Sequence, residues 1–255
     1  MFKKLIVLFA LMALLSVPAL AQEKVYVNGI DANFPPFAFI GPDGKATGFD
    51  VDAMNWIAKE MGFKVEHKPM EWSGIVASLK ARKIDMISSG LSKTEERAAQ
   101  INFSTPYWDI RQVVVVPRDS DLTVEKALTS GLRIGVQSGT SDAKAMADTN
   151  NKDGRKYTLV EYPSSALAAE DVVNERVDAA VMNDAPAAAA AAKMDIKIIG
   201  DAGIPSEVFA IGVAKGDPET LKMINEGLAK IMADPYWQEL IEKYKPGEPP
   251  ESDEE

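Results

Sequence analysis

Short runs of alternating or continuous apolar residues are separated by stretches with apolar positions three and four apart, so the chain reads as strands interleaved with helices. VYVNGI (25–30), KVEHKP (64–69) and IDMISS (84–89) predict strands, and residues 51–61 and 74–81 predict helices between them. The first helix carries Met54, Ile57, Ala58 and Met61 at helical spacing, begins behind Asp50 as an acidic cap and stops at Gly62. This βαβαβ order predicts an α/β chain with a largely parallel sheet and helices on both faces. Such sheets bind ligands beyond the carboxyl ends of their strands. DANFPPF, after the first strand, and SSGLS, after the third, both fall there.

A second unit of the same kind begins after Tyr107. QVVVVP (112–117) predicts a strand, residues 124–128 a short helix, and LRIGV (132–136) a strand that runs into QSGTSDAKAMA, where Gly139 and the amides of Thr140 and Ser141 open a helix. A helix bearing Ala166, Leu167, Ala169 and Val172 precedes the strand VDAAVM (177–182), and Asp184 and Pro186 start an alanine-rich helix. VFAIGVA (208–214) predicts a returning strand, followed by closing helices over 218–232 and 235–244. The apolar extended stretches 110–116 and 208–213 read as crossings between two lobes, with residues 22–110 and 209–246 in lobe 1 and 111–208 in lobe 2. The Pro-rich, acidic end over 247–255 is expected to be disordered.

Ahead of the first strand, Lys3 and Lys4 precede an apolar run from Leu5 to Val17 and the small-residue end Ala19-Leu20-Ala21, an export signal cleaved after Ala21. The run of about 13 residues is shorter than the roughly 20 that a membrane span needs. No later window is apolar enough, so the mature protein is expected in the periplasm and not inserted in a membrane. There is no cysteine, hence no lipidation point and no disulfide. Without Lys3 and Lys4, 26 basic residues face 38 acidic ones, an excess that repels nucleic acid. A single histidine, His67, and no thiol leave little for nucleophilic or metal chemistry. No metal or cofactor is expected, and His67 reads as a surface residue.

The chemistry concentrates in SSGLSKTEERAAQINFSTPY (88–107). Gly90 and Ser92 can expose backbone amides at a strand end. Thr94 can cap the next helix, with Glu95 and Glu96 in its first turn and Arg97 one turn in, able to turn back toward those amides. A planar guanidinium beside free N–H donors suits a carboxylate.

From about residue 25 to residue 244 the chain resembles the periplasmic substrate-binding proteins of polar-amino-acid ABC transporters, solute-binding protein family 3. The resemblance is carried by FPPF, GFDVD (48–52), the S-x-T-x-x-R run (92–97), FSTPY (103–107), SGT (138–140) and DAP (184–186), in that order. It implies a monomer with the type II periplasmic binding protein fold, two lobes joined by two hinge strands, which captures an L-amino acid and delivers it to a membrane permease. It also implies roles for particular residues. Arg97 would grip the ligand's α-carboxylate with help from Ser92, Thr140 and Ser141, and Asp184 would take the α-ammonium with the carbonyl of Gly90. Phe34 and Trp72 would enclose the side chain, and Asp31 would meet its nitrogen-bearing end.

Each role has a structural competitor. Arg97 can pair with Glu95 or Glu96, Asp184 can be only a cap for the helix at Pro186, and Phe34 and Trp72 can be core residues. If Asp31, Asp142 and Asp184 all face the cleft, Arg97 alone offsets them. Glutamate and aspartate are then disfavoured and glutamine, arginine, lysine or histidine favoured. Ser88 or Ser89 can add a hydroxyl, while Gln137 and Asn183, which both donate and accept, lean toward an amide or guanidinium head group. A ligand bridging the lobes would bias the hinge toward closure. Two rival classes remain open: a periplasmic dehydratase acting on prephenate-like acids, with Asp142 as its acid, and a ligand-sensing module without a transporter.

Overall fold

The strand–helix alternation becomes two five-stranded sheets in the computed structural model, which describes residues 24–245. The expected export signal and acidic tail lie outside those residues. In chain order the first part comprises β1 (Val25–Ile30), the short strands β2 (Asn33–Phe34), β3 (Ala38–Ile40) and β4 (Ala46–Thr47), α1 (Phe49–Met61), β5 (Lys64–Pro69), α2 (Ile75–Lys80), β6 (Met86–Ile87), α3 (Glu95–Gln100), β7 (Ile101–Phe103) and β8 (Trp108–Ile110). The chain continues through β9 (Gln112–Pro117), α4 (Val124–Thr129), β10 (Leu132–Gln137), α5 (Ser141–Thr149), β11 (Tyr157–Tyr162), α6 (Ser165–Val173), β12 (Ala179–Asn183), α7 (Asp184–Ala191) and β13 (Ile196–Asp201). It returns by β14 (Glu207–Phe209) and β15 (Gly212–Ala214) to α8 (Pro218–Ala233) and α9 (Pro235–Lys243).

The first sheet has the order β5-β1-β6-β15-β7 and the second β11-β10-β12-β9-β13. Strands joined through helices are parallel, as β1 is to β5 and β6, and β10 to β11 and β12. Strands reached by crossing between the sheets run antiparallel: β15 against β6 and β7, β9 against β12 and β13. Each sheet is therefore mixed rather than largely parallel. The crossing is a two-stranded ribbon in which Glu207, Val208 and Phe209 face Ile110, Asp109 and Trp108. It is shorter than the sequence suggests, because Gln112–Pro117 is wholly a strand of the second sheet and the run 208–214 bends between β14 and β15.

Aromatic packing fixes that ribbon to the first sheet. Phe37 meets Phe209 of β14 and Trp108 of β8 edge to face, with centroids 5.0 and 5.4 Å apart. Phe49 packs on Trp108 and Trp237 at 5.0 and 4.9 Å. Such contacts contribute about 0.5–1.5 kcal/mol each beyond area burial.

Three local departures from the sequence reading matter for the site. The predicted strand 84–89 shortens to Met86–Ile87 because Ser88 leaves the ladder: its N–H donates to Asn28 Oδ1 at 2.7 Å and its carbonyl accepts from Asn28 Nδ2 at 3.2 Å. That Asn28 amide nitrogen also lies 3.1 Å from His67 Nδ1, and His67 Nε2 lies 3.0 Å from Asn55 Oδ1. His67 is thus a half-buried link between β5 and α1, and burial lowers its pKa to about 4. Asp50 does not cap its helix; α1 begins at Phe49 behind Gly48, and Asp50 is buried in the first turn.

Candidate ligand-binding site

The carboxyl ends of β1 and β6 face the loop between β10 and α5 across a narrow cavity. It is lined by Asp31, Phe34, Trp72, Ser89, Gly90, Ser92 and Arg97 from the first side, and by Gln137, Thr140, Ser141, Asp142 and Asn183 from the second.

At the first wall, the Asp31 N–H donates to Ser89 Oγ at 2.9 Å, and Asp31 Oδ1 accepts from the Asn33 N–H at 3.0 Å. Gly90 adopts φ +61°, and a Cβ there would stand 2.4 Å from Phe34 Cε1, so a side chain at 90 would displace that ring. The Gly90 N–H and the Tyr107 hydroxyl both donate to buried Asp50 Oδ2. Burial pushes that carboxyl up to about 7.

Thr94 caps α3 as expected, accepting from the Arg97 N–H at 3.2 Å. The Arg97 guanidinium donates to the Ser92 carbonyl oxygen at 3.0 Å and stands 5.6 Å from the Trp72 ring centroid. It also donates across the cleft to the Gly139 carbonyl oxygen at 3.1 Å. Three of its five N–H donors keep no protein partner among the described residues. Burial lowers its pKa, opposed by Glu207, Asp142 and Glu96.

The opposite wall is built at the start of α5. Thr140 caps that helix, accepting from the Ala143 N–H, while its hydroxyl donates to the Gln137 carbonyl oxygen at 2.6 Å. The Ser141 hydroxyl donates at 2.6 Å to Glu207, the first residue of β14. Asp142 is buried beside them, and desolvation raises its pKa to about 6. Gln137 Nε2 donates to Asp31 Oδ2 at 2.6 Å and to the Pro163 carbonyl oxygen at 3.2 Å. Trp72 Nε1 and Asn183 Nδ2 are buried donors without a protein partner among the described residues.

Asp184 is the candidate that does not line the cavity. It begins α7, accepts from its neighbour Ala185 N–H at 3.0 Å, and pairs with Arg111 Nε at 3.6 Å. The cap position falls one residue earlier, at Asn183. The sequence alone does not mark Glu207, Asp50 or Tyr107 as site residues. Asp50 and Tyr107 stand in GFDVD and FSTPY, but their spacing says nothing of a shared buried hydrogen bond. Glu207 carries no local signal at all, since its place depends on the ribbon.

Comparison with known proteins gives the arrangement its context. The model of the bacterial extracellular solute-binding proteins, family 3, matches residues 26–247. The L-arginine-binding protein of Pseudomonas aeruginosa is 32% identical over 252 residues, covering 95% of this chain and 96% of that protein. A probable histidine-binding protein of Neisseria gonorrhoeae is 30% identical over 89% of this chain and 85% of its own length. Among solved structures, an ancestral amino-acid-binding protein, a precursor of cyclohexadienyl dehydratase, superposes with a TM-score of 0.79 at 31% identity, covering 86% of this chain and 95% of that one. The two sheets joined by a ribbon are the type II periplasmic binding protein fold of these relatives, and the chain belongs to the bacterial extracellular solute-binding proteins, family 3.

Proposed function

We propose that this protein is a periplasmic receptor that closes on an L-amino acid with a polar or basic side chain, such as glutamine, arginine, lysine or histidine, and presents it to an ABC transporter permease. The observation that carries this reading is Arg97, a half-buried guanidinium with donors to spare, flanked by Ser92 and faced across the cleft by the start of α5. Burying both charged ends of a zwitterion is tolerable only when each is paired. In this reading the α-carboxylate takes Arg97, Ser92, Thr140 and Ser141, and Phe34 and Trp72 enclose the side chain. Asp31 meets the nitrogen-bearing end beside Ser89, and Asn183 adds a donor. Asp184 joins by turning from Arg111 toward the α-ammonium and the Gly90 carbonyl. Its present ion pair, 3.6 Å long to an arginine side chain 67% exposed, is worth little. Lobe 1 would comprise residues 22–110 and 209–246, lobe 2 residues 111–208, the protein acting as a monomer exported by residues 1–21. No helix among the described residues is long and apolar enough to cross a membrane.

One observation favours a second reading. Asp142, a buried carboxyl held up to about 6 beside Arg97, suits a general acid for eliminating water from a prephenate-like acid, and one solved relative is described as a dehydratase precursor. A thermal-shift screen of the twenty amino acids on unfolded and refolded protein, run beside assays for phenylpyruvate formed from prephenate and phenylalanine formed from arogenate, separates the two. A rise in melting temperature with polar or basic amino acids and no product in either assay supports the receptor; phenylpyruvate from prephenate or phenylalanine from arogenate supports the dehydratase.

A further inference from the structure

Gln137 sits where the two sides of the cleft meet at the polar end of the cavity. Both neighbours of its amide nitrogen, Asp31 Oδ2 at 2.6 Å and the Pro163 carbonyl at 3.2 Å, are pure acceptors. The –NH2 must therefore point at them, and the orientation of the amide is fixed by chemistry rather than by choice. The contact to Pro163 belongs to Gln137's own side of the cleft, while the contact to Asp31 crosses it. On opening, Gln137 keeps the first and loses the second.

Asp31 is 4% exposed, and among the described residues the remaining protein donor to its carboxylate is the Asn33 N–H. Burial raises its pKa, the Gln137 and Asn33 hydrogen bonds lower it, and the nearby Glu71 charge adds to the rise. A carboxylate stripped of water and left underpaired is costly. Gln137 arrives with closure and supplies a donor at the step that removes water.

We propose, building on the receptor reading, that Gln137 is a specificity-determining residue that lets the closed site hold a neutral amide side chain as well as a cationic one. A guanidinium or ammonium can satisfy Asp31 by itself. A glutamine side chain brings one donor group and one acceptor and cannot neutralise the carboxylate, so its burial beside Asp31 depends on the donor from Gln137. The free Gln137 Oε1 accepts from either side chain.

The test is calorimetric titration of L-arginine and L-glutamine into refolded wild type, Gln137→Leu, Asp31→Asn and the double variant, with circular dichroism and melting temperature checking each fold. Wild type is expected to bind both amino acids. In Gln137→Leu, glutamine binding should weaken at least tenfold more than arginine binding, and the Asp31→Asn background should erase that difference. Equal weakening of both ligands, an unchanged arginine-to-glutamine ratio, or a wild type that binds arginine but not glutamine overturns the proposal. Should Gln137→Leu fail to fold, Gln137→Asn, whose shorter amide cannot reach Asp31, answers the same question. A wild type that binds neither amino acid, nor any other in the thermal-shift screen, refutes the receptor reading, and the role of Gln137 falls with it.

Discussion

Arg97 Nη2 donates to the carbonyl oxygen of Gly139 at 3.1 Å, tying α3 on one side of the cleft to the loop that opens α5 on the other. Gly139 is itself at φ +77°, and a Cβ there would lie 2.8 Å from Ser73 Cα on the facing side. The closed cleft depends on that close backbone approach. Gly139→Ala is expected to fold, with far-UV circular dichroism unchanged, because the clash exists only when the sides meet. Holding alanine in the left-handed backbone costs about 1–2 kcal/mol. Ligand affinity should fall at least tenfold by calorimetry, and wild-type affinity would mean that the cleft does not close on Gly139.

Asp50 gives a pH dependence with a definite sign. Its folded-state pKa of about 7 lies above the ordinary 3.8, so the folded protein holds a proton that the unfolded chain has lost between those values. Stability from this group falls as pH rises through that window and is level above it. Between pH 5 and pH 8 the loss is on the order of 2–3 kcal/mol. Asp50→Asn should flatten this part of the melting-temperature profile. A wild-type profile no steeper than that of the variant contradicts the assignment.

His67 titrates in the opposite sense. Asn28 Nδ2 is fixed as a donor by the Ser88 carbonyl, so His67 Nδ1 must accept and the proton sits on Nε2, facing Asn55. Protonation would set two donors against each other. With the pKa lowered from 6.5 to about 4, stability from this group is present above 6.5 and is lost as pH falls through 4. Since the chain has one histidine, its NMR resonances can be followed alone; they should stay neutral and Nε2-protonated down to pH 5. A midpoint near 6.5 would show that the Asn28–His67–Asn55 chain does not hold in solution.

Asp184 and Asp142 are separable by substitution. Asp142 is coupled to Arg97 and Glu207, on the side where the ligand's carboxylate is expected, so removing its charge should not weaken binding. Asp184→Asn should weaken binding about 10–100-fold, the effect of losing a hydrogen bond to a charged group, while Asp142→Asn stays within about threefold of wild type. The reverse pattern would give the α-ammonium to Asp142.

Periodicity made long, self-contained elements legible in the sequence. VYVNGI and QVVVVP form strands over their predicted residues, and the closing amphipathic helices lie within a residue of their predicted ends. Most of the cavity lining was also readable, because turn glycines, serines and caps announce themselves locally, as Thr94 and Thr140 do. What was hidden depends on contacts between distant segments. The antiparallel strands β9 and β15 follow from where the chain crosses, and Ser88 leaves its strand because of Asn28, sixty residues earlier. Glu207 reaches the site only through the ribbon, and Asp184 turns to Arg111 because that side chain is beside it.

The most direct test of the receptor reading is calorimetric titration of L-arginine, L-lysine, L-histidine and L-glutamine into refolded wild type and Arg97→Ala. The prediction is one-to-one binding of at least one of them to wild type, near micromolar or tighter, and a loss of at least tenfold, about 1.5–3 kcal/mol, in the variant with its fold intact. Equal affinity of the two proteins, or no binding of any amino acid by wild type, would contradict it.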